Sequence, residues 1–284
     1  MASALLAGEV ARLSPEQRDF FETNGYLVVR DALDAELVAR LTEAVDRLYA
    51  RARSERGLGE YDHWELRNCL PEDEAFLALL DHPRTLPLVI ELLNWNLQLI
   101  TSHLVIRAPA PPGVDPRTRA GGWHRDGGTA PSELPEPHHR MFIKIAYFLN
   151  DLSEPGRGQF RVVPGSHRLI GRPPKVEGPD PHGTIEVLTR PGDAVLFENR
   201  IWHCAGPNFS PFPRKSLFFG YGYRWLRPMD YVAMPPDLLA RCDPIQRQLL
   251  GDVKSVLGFY LPTDEDVPLR AWWRERQASP NGAG

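Results

Sequence analysis

From Leu97 onward the chain breaks into short apolar runs separated by proline- and glycine-rich turns, and this rhythm limits what it can fold into more than any other feature. The runs are Leu97 to Arg107, Met141 to Leu149, Gly158 to Val163, Ile185 to Leu188, Ala194 to Phe197 and Ser216 to Tyr223. They are short and rich in β-branched and aromatic residues, which predicts strands. Ahead of them the chain reads as helical. Ser14, Pro15 and Gln17 form a capping box with proline at the first helical position, and Gly25 ends that helix. Tyr26 to Arg30 is a short strand. Asp34 caps a second helix to about Arg53, with Leu37, Leu41, Val45 and Leu48 on one face, and residues 83–94 form a helix buried on most sides. Many short strands behind a helical start predict a mainly β protein with helical cover, a double-stranded β-helix (jelly roll, cupin-like).

With 284 residues, 42% of them hydrophobic, the chain can bury one sizeable core, so residues 1–284 are expected to be a single catalytic domain. Within it, 14–94 is the helical part, 95–225 the jelly-roll core, 226–277 a C-terminal extension and 278–284 a disordered tail. The extension is read as packing outside the barrel or as a subunit contact, which allows a homodimer. A net charge of −4 gives no basic footprint for nucleic acid. Three cysteines, odd in number and unpatterned, suit a reducing cytoplasm. The first residues lack the charge and apolar core of a signal peptide, and no run has membrane-spanning length.

The chemistry centres on Gly121-Gly122-Trp123-His124-Arg125-Asp126-Gly127-Gly128. In extended backbone, residues i and i+2 share a face, so His124 and Asp126 can aim an imidazole and a carboxylate at one point. His203, in Trp202-His203-Cys204-Ala205-Gly206, is the candidate third ligand. Two histidines and a carboxylate form the facial set that suits a non-haem Fe(II) with open positions. Read alone, His-x-Asp is more often a surface turn. Arg214, eleven residues beyond His203, offers a fixed cation for a carboxylate. Lys144 lies in an apolar strand on one face with Phe142, Ala146 and Phe148; it either meets an anionic ligand inside or reaches water outside. His103 and His167 read as structural, and His138 and His139 as acting singly. The polar stretches 54–74, carrying His63 and Trp64, and 129–140 read as loops at the barrel mouth, the first a candidate lid, with substrate entering between them. Residues 108–120 form a further surface loop.

Four blocks in order carry a resemblance: Trp123-His124-Arg125-Asp126, Val163-Pro164-Gly165-Ser166-His167-Arg168, Pro191-Gly192-Asp193-Ala194-Val195-Leu196-Phe197, and His203 through Gly206-Pro207-Asn208 and Ser210 to Arg214. Over residues 14–225 the chain resembles the phytanoyl-CoA dioxygenase family of Fe(II)/2-oxoglutarate oxygenases, which includes ectoine hydroxylase and bacterial natural-product hydroxylases. The resemblance implies a dioxygenase that binds Fe(II) through His124, Asp126 and His203, uses 2-oxoglutarate and O2, and hydroxylates a small molecule with release of succinate and CO2. It implies that Arg214 holds the far carboxylate of 2-oxoglutarate and that Arg107 lies close to the co-substrate. Two departures stand out: relatives often carry a small hydroxyl residue where Ala205 stands, and lysine where Arg107 stands. Halogenating relatives replace the ligand carboxylate, whereas Asp126 is intact. The competing readings are a non-catalytic metal-binding jelly roll and a non-oxidative cupin-type metalloenzyme.

Overall fold

The computed structural model describes residues 4–6, 10–115, 122–127, 133–175 and 178–278. The chain divides into two compact units, one of Met1–Leu13, Arg67–Ser102 and Phe219–Gly284, the other of Ser14–Leu66 and His103–Phe218. The described strands are β1 (Tyr26–Val29), β2 (Trp64–Arg67), β3 (Leu97–Arg107), β4 (Phe142–Phe148), β5 (Phe160–Val162), β6 (Ile185–Val187), β7 (Ala194–Glu198), β8 (His203–Ala205) and β9 (Arg214–Tyr223). The α-helices are α1 (Pro15–Asn24), α2 (Ala35–Arg56), α3 (Leu86–Leu93), α4 (Pro236–Arg241), α5 (Pro244–Leu249) and α6 (Pro268–Ala278).

The larger unit contains the site described below. Its start follows local sequence rules. The Ser14 and Gln17 side chains close a capping box on α1, and Gly25 ends the helix at φ 80° in the left-handed region. Asp34 caps α2 by accepting from the Leu37 N–H, and Gly57 ends it. Leu41, Val45 and Leu48 lie on its buried face.

Two sheets follow, ordered β1-β7-β4-β9-β3-β2 and β6-β5-β8. β7 is antiparallel to both β1 and β4, and β5 is antiparallel to both β6 and β8. Register decides which side chains meet. Lys144 lies opposite Phe197, and Ala146 opposite Val195. The core joins Ala146, Phe148, Val195 and Phe197 from the first sheet to Phe160, Val162 and Val187 from the second, with Ile201 between them. Alternation along each strand therefore makes one face of each sheet the inner wall of a jelly roll.

The turn Pro191-Gly192-Asp193 ties β1 to β7. Asp193 is buried and accepts hydrogen bonds from Arg30 Nη1 (2.7 Å), the Asp31 N–H (2.9 Å) and the Arg190 N–H (2.9 Å). Gly192 has φ 93°, and a Cβ there would stand 2.6 Å from the Leu33 carbonyl oxygen. Only glycine meets both conditions.

One expectation changes and one unexpected strand appears. Residues 54–74 are not one loop: α2 continues to Arg56, and Trp64–Arg67 forms β2. Trp64 is buried and stacks on Tyr49 with ring centroids 5.9 Å apart. The strand is short and mostly polar because only Trp64 of its four residues is buried, so periodicity did not mark it. His203–Ala205 is also a strand, which its three residues alone do not announce. Residues 116–120 and 129–132 of the other two expected loops, and 279–284 of the expected tail, lie outside the described residues.

In the smaller unit, α3 buries Leu86, Leu88, Val89, Ile90 and Leu93, and the Tyr221 hydroxyl donates to the Leu80 carbonyl at 2.8 Å. The amphipathic segment after Asp243 forms α5 behind a capping box with Gln246. No helix among the described residues is long and apolar enough to cross a membrane.

Gly192→Ala is expected to destabilise the fold by roughly 2 kcal/mol or more, because left-handed strain adds to a backbone clash. Urea unfolding checks this; an unchanged midpoint would show that the β1–β7 turn tolerates a side chain.

Candidate metal centre

The site is built on backbone pairing. Val162 of β5 lies opposite His203 of β8, and Phe160 opposite Ala205. Phe160 and Val162 belong to the core, so His203 and Ala205 face inward while Cys204 faces the other way. His124 extends this sheet by one bridge. Its N–H donates to the His203 carbonyl (3.1 Å) and its carbonyl accepts the His203 N–H (3.0 Å). Residues paired this way stand directly opposite and project side chains to one face. The two imidazole centroids are 4.4 Å apart. Two residues on, the Asp126 N–H donates to the Asn199 carbonyl (2.9 Å), which keeps Asp126 on the face of His124.

Hydrogen bonds select the tautomers. His124 Nδ1 lies 2.7 Å from the Gly122 carbonyl oxygen, and His203 Nδ1 lies 2.9 Å from that of Ile201. A carbonyl only accepts, so each Nδ1 carries a proton, and Nε2 is the nitrogen that bears the lone pair in the neutral ring. These Nε2 atoms are each 3.9 Å from an Asp126 oxygen, His124 to Oδ1 and His203 to Oδ2. One ligand atom from each of the three residues lies within 4.8 Å of the others. Asp126 Oδ2 is buried with no hydrogen-bond partner. Two lone-pair nitrogens around an unsatisfied buried carboxylate oxygen fit a divalent cation.

Electrostatics acts on two of these groups, Asp126 and His203. Burial alone would raise the Asp126 carboxyl, but Lys144, His203 and His124 outweigh it and hold the group well below the carboxylate range. Lys144 Nζ is 2.8 Å from Asp126 Oδ1. For His203, burial lowers the pKa more than Asp126 raises it, leaving it at about 4 and the ring neutral at physiological pH. Phe197 and Phe160 pack on that ring with centroids 4.8 and 5.3 Å away.

Arg214 opens β9 and shares the inward face with Ser216 and core-packed Phe218. It is 2% exposed. Nη1 donates to the Gly158 carbonyl (2.9 Å), Nε has no partner, and no carboxylate among the described residues pairs with it. Burial and then Arg107 push its pKa down to about 9. A buried guanidinium without an anion is costly unless a ligand supplies one, and its fork suits a carboxylate. Arg107 ends β3 near enough to repel Arg214. Of the expected site residues, the structure brings His124, Asp126, His203 and Lys144 together and sets Arg214 and Arg107 near each other on the inner wall. Lys144 faces inward, where its partner is the Asp126 carboxylate of the protein itself, in place of the anionic ligand expected from the sequence.

Other histidines sit elsewhere. His103 stacks on Phe218 (4.9 Å, 7° between planes). His167 packs against Gly25, and its Nε2 lies 3.1 Å from the Glu22 carbonyl oxygen. His138 is buried and His139 exposed. Two asparagines do work that sequence reasoning missed. Asn199 Oδ1 accepts from the Met141 N–H (3.0 Å), holding the entry to β4 beside Asp126. Asn208 Nδ2 donates to the carbonyls of Arg107 (3.0 Å) and Phe212 (2.8 Å), joining the strand ends that carry the two arginines. Asn208 was legible only as part of a block, and no local pattern marks Asn199.

Residues 21–216 match the model of the family described as phytanoyl-CoA dioxygenase. The ectoine dioxygenase of Sphingopyxis alaskensis is 25% identical over 264 residues, covering 81% of this chain and 84% of that one. A probable alpha-ketoglutarate-dependent hypophosphite dioxygenase of Stutzerimonas stutzeri is 25% identical, covering 72% and 77%. Among solved structures, HygX from Streptomyces hygroscopicus with nickel and 2-oxoglutarate bound superposes with a TM-score of 0.62 at 19% identity, covering 80% of this chain and 94% of that one. The carbocyclase SnoK from nogalamycin biosynthesis gives 0.57 at 21% identity, covering 84% and 94%. These likenesses agree with the jelly roll seen here.

If the three ligand atoms hold a cation, divalent metal should raise the melting temperature of metal-free protein. At a free concentration 100-fold above Kd the gain is about 2.7 kcal/mol. Chelator should reverse the shift and Asp126→Ala remove it. An equal shift in Asp126→Ala would move the ion to another place.

Proposed function

The chain belongs to the phytanoyl-CoA dioxygenase family, and on that premise we propose that it hydroxylates a C–H bond of a small molecule, a secondary metabolite or its precursor, using Fe(II), 2-oxoglutarate and O2. One observation carries the reading: a cluster of two histidines and a buried aspartate shares the inner wall with a buried arginine that pairs with no carboxylate among the described residues.

His124 Nε2, His203 Nε2 and Asp126 Oδ2 would hold the iron. Bound there with its co-substrate, the iron supplies oxidative chemistry: 2-oxoglutarate and O2 give succinate and CO2, and the second oxygen atom is transferred to the substrate. The chain's own residues prepare for this. Arg214 takes the far carboxylate of 2-oxoglutarate, and Arg107 adds positive potential nearby. Phe160, Phe197 and Phe218 wall the site with apolar surface and exclude water. Ala205, inward-facing beside His203, offers no hydroxyl, so more of the co-substrate's hold falls to the arginines. Asp126 stands where a halide would have to enter, which supports oxygen transfer over halogenation.

The names of two relatives point to ectoine and hypophosphite as substrates, and that of one structural neighbour to nogalamycin biosynthesis. These support a small-molecule substrate. We also place the enzyme in the cytoplasm, where Cys69, Cys204 and Cys242, all free and buried, would stay reduced. The exposed apolar side chains of Val256, Leu257, Tyr260 and Leu261 suit a homodimer contact.

The test is turnover under isotopically heavy O2. Substrate-stimulated succinate formation and heavy oxygen in the product alcohol are expected. Absence of succinate under any candidate substrate, or unlabelled product, would sink the hydroxylase reading. Arg214→Ala should raise KM for 2-oxoglutarate by about 10²-fold or more, since one bidentate charged contact is lost. Metal content should stay the same. An unchanged KM would move the carboxylate to Arg107.

A further inference from the structure

We propose that Lys144 is a positioning residue that limits Asp126 to a single ligand oxygen, Oδ2; the inference rests on the metal reading above. Alternation along β4 puts Lys144 on the inward face with Ala146 and Phe148. There the residue is 7% exposed, and Asp126 is equally buried at 7%. Nζ reaches Asp126 Oδ1 at 2.8 Å, while Oδ2 of the same carboxylate has no partner. Among the described residues, Asp126 is the one carboxylate that pairs with Lys144. An ammonium is a point donor and can hold one oxygen while leaving the other, whereas a guanidinium fork would cover both.

The same device recurs at all three ligands. His124 Nδ1 is bonded to the Gly122 carbonyl, His203 Nδ1 to that of Ile201, and Asp126 Oδ1 to Lys144. Each residue thus has one side-chain donor atom held by the protein and one left for a metal. Three single-atom ligands leave three positions of a six-coordinate ion for a chelating co-substrate and one further small ligand. A carboxylate binding through both oxygens would close one of them.

Lys144 also cancels the charge of Asp126. By Coulomb's law its removal should leave a divalent ion bound as tightly as before or tighter. Retained metal with a closed position is therefore the signature of lost positioning, and a misfolded site would not show it.

The experiment loads full-length protein with Co(II) and 2-oxoglutarate and titrates azide as the small ligand, following the d–d absorption. Wild type should take up azide with a spectral change. Lys144→Met should keep Co(II), show an altered spectrum before azide, and bind azide about 10–100-fold more weakly, the usual scale for loss of a partner behind a metal ligand. Lys144→Gln, a neutral variant one bond shorter, should move the same way and serves if the Met variant does not fold. An unchanged spectrum and azide affinity in either folded variant overturns the proposal. So does a loss confined to 2-oxoglutarate affinity, which would make Lys144 a direct co-substrate contact. His203→Ala is the separate control: Co(II) affinity equal to wild type there would refute the metal reading itself.

Discussion

Two backbone hydrogen bonds between His124 and His203 set the geometry on which the centre depends. They make the segment after Gly122 an extra rung of the sheet that contains β8. A directly opposed pair leaves the two rings little freedom to diverge, and the Asp126–Asn199 bond extends the same register by two residues. The three candidate ligands are thus placed by the sheet itself. That is the less costly arrangement, since ordering three side chains around an ion after folding would draw on the binding energy.

Buried charge is the second theme. Glu198 at the end of β7 is fully buried and accepts from Arg140 Nε (2.8 Å) and Arg200 Nε (2.6 Å). Arg140 also grips Glu22 on α1 through two bonds of 2.9 and 2.6 Å. This chain of charges joins the first helix, the entry to β4 and the link from β7 to β8. Glu198 is the member the others depend on: without it Arg200 would lose its carboxylate and Arg140 would keep only Glu22. The network's position directly before Asn199 and Ile201, which hold Asp126 and His203, connects fold stability with ligand placement.

The inner cations divide into two kinds. Lys144 has an internal partner, Asp126, and its charge is neutralised within the protein. Arg214 has a carbonyl and an aromatic face, with its Cζ 5.8 Å from the Phe148 ring centroid, and no carboxylate among the described residues. Buried cations of this second kind mark where a ligand brings the anion. The strand alternation is the same for both; the difference comes from what faces them across the barrel.

Local sequence determined a good deal. The caps at Ser14 and Asp34, the glycines at 25 and 192 and the apolar runs of β4 and β7 act through bonds and sterics within a few residues, so they were legible directly. His124 and Asp126 were legible as a pair because extended backbone gives i and i+2 one face. Joining His203 and Arg214 to them leaned on the order and spacing of four blocks, since spacing alone does not say which strands neighbour. Tertiary structure alone decided the rest. The β8 strand exists because three residues pair with β5, Trp64 is buried because Tyr49 stacks on it, and Lys144 turned inward finds Asp126 eighteen residues earlier. Each of these depends on partners distant in sequence, and a periodic pattern records which face a residue takes but not what waits opposite it.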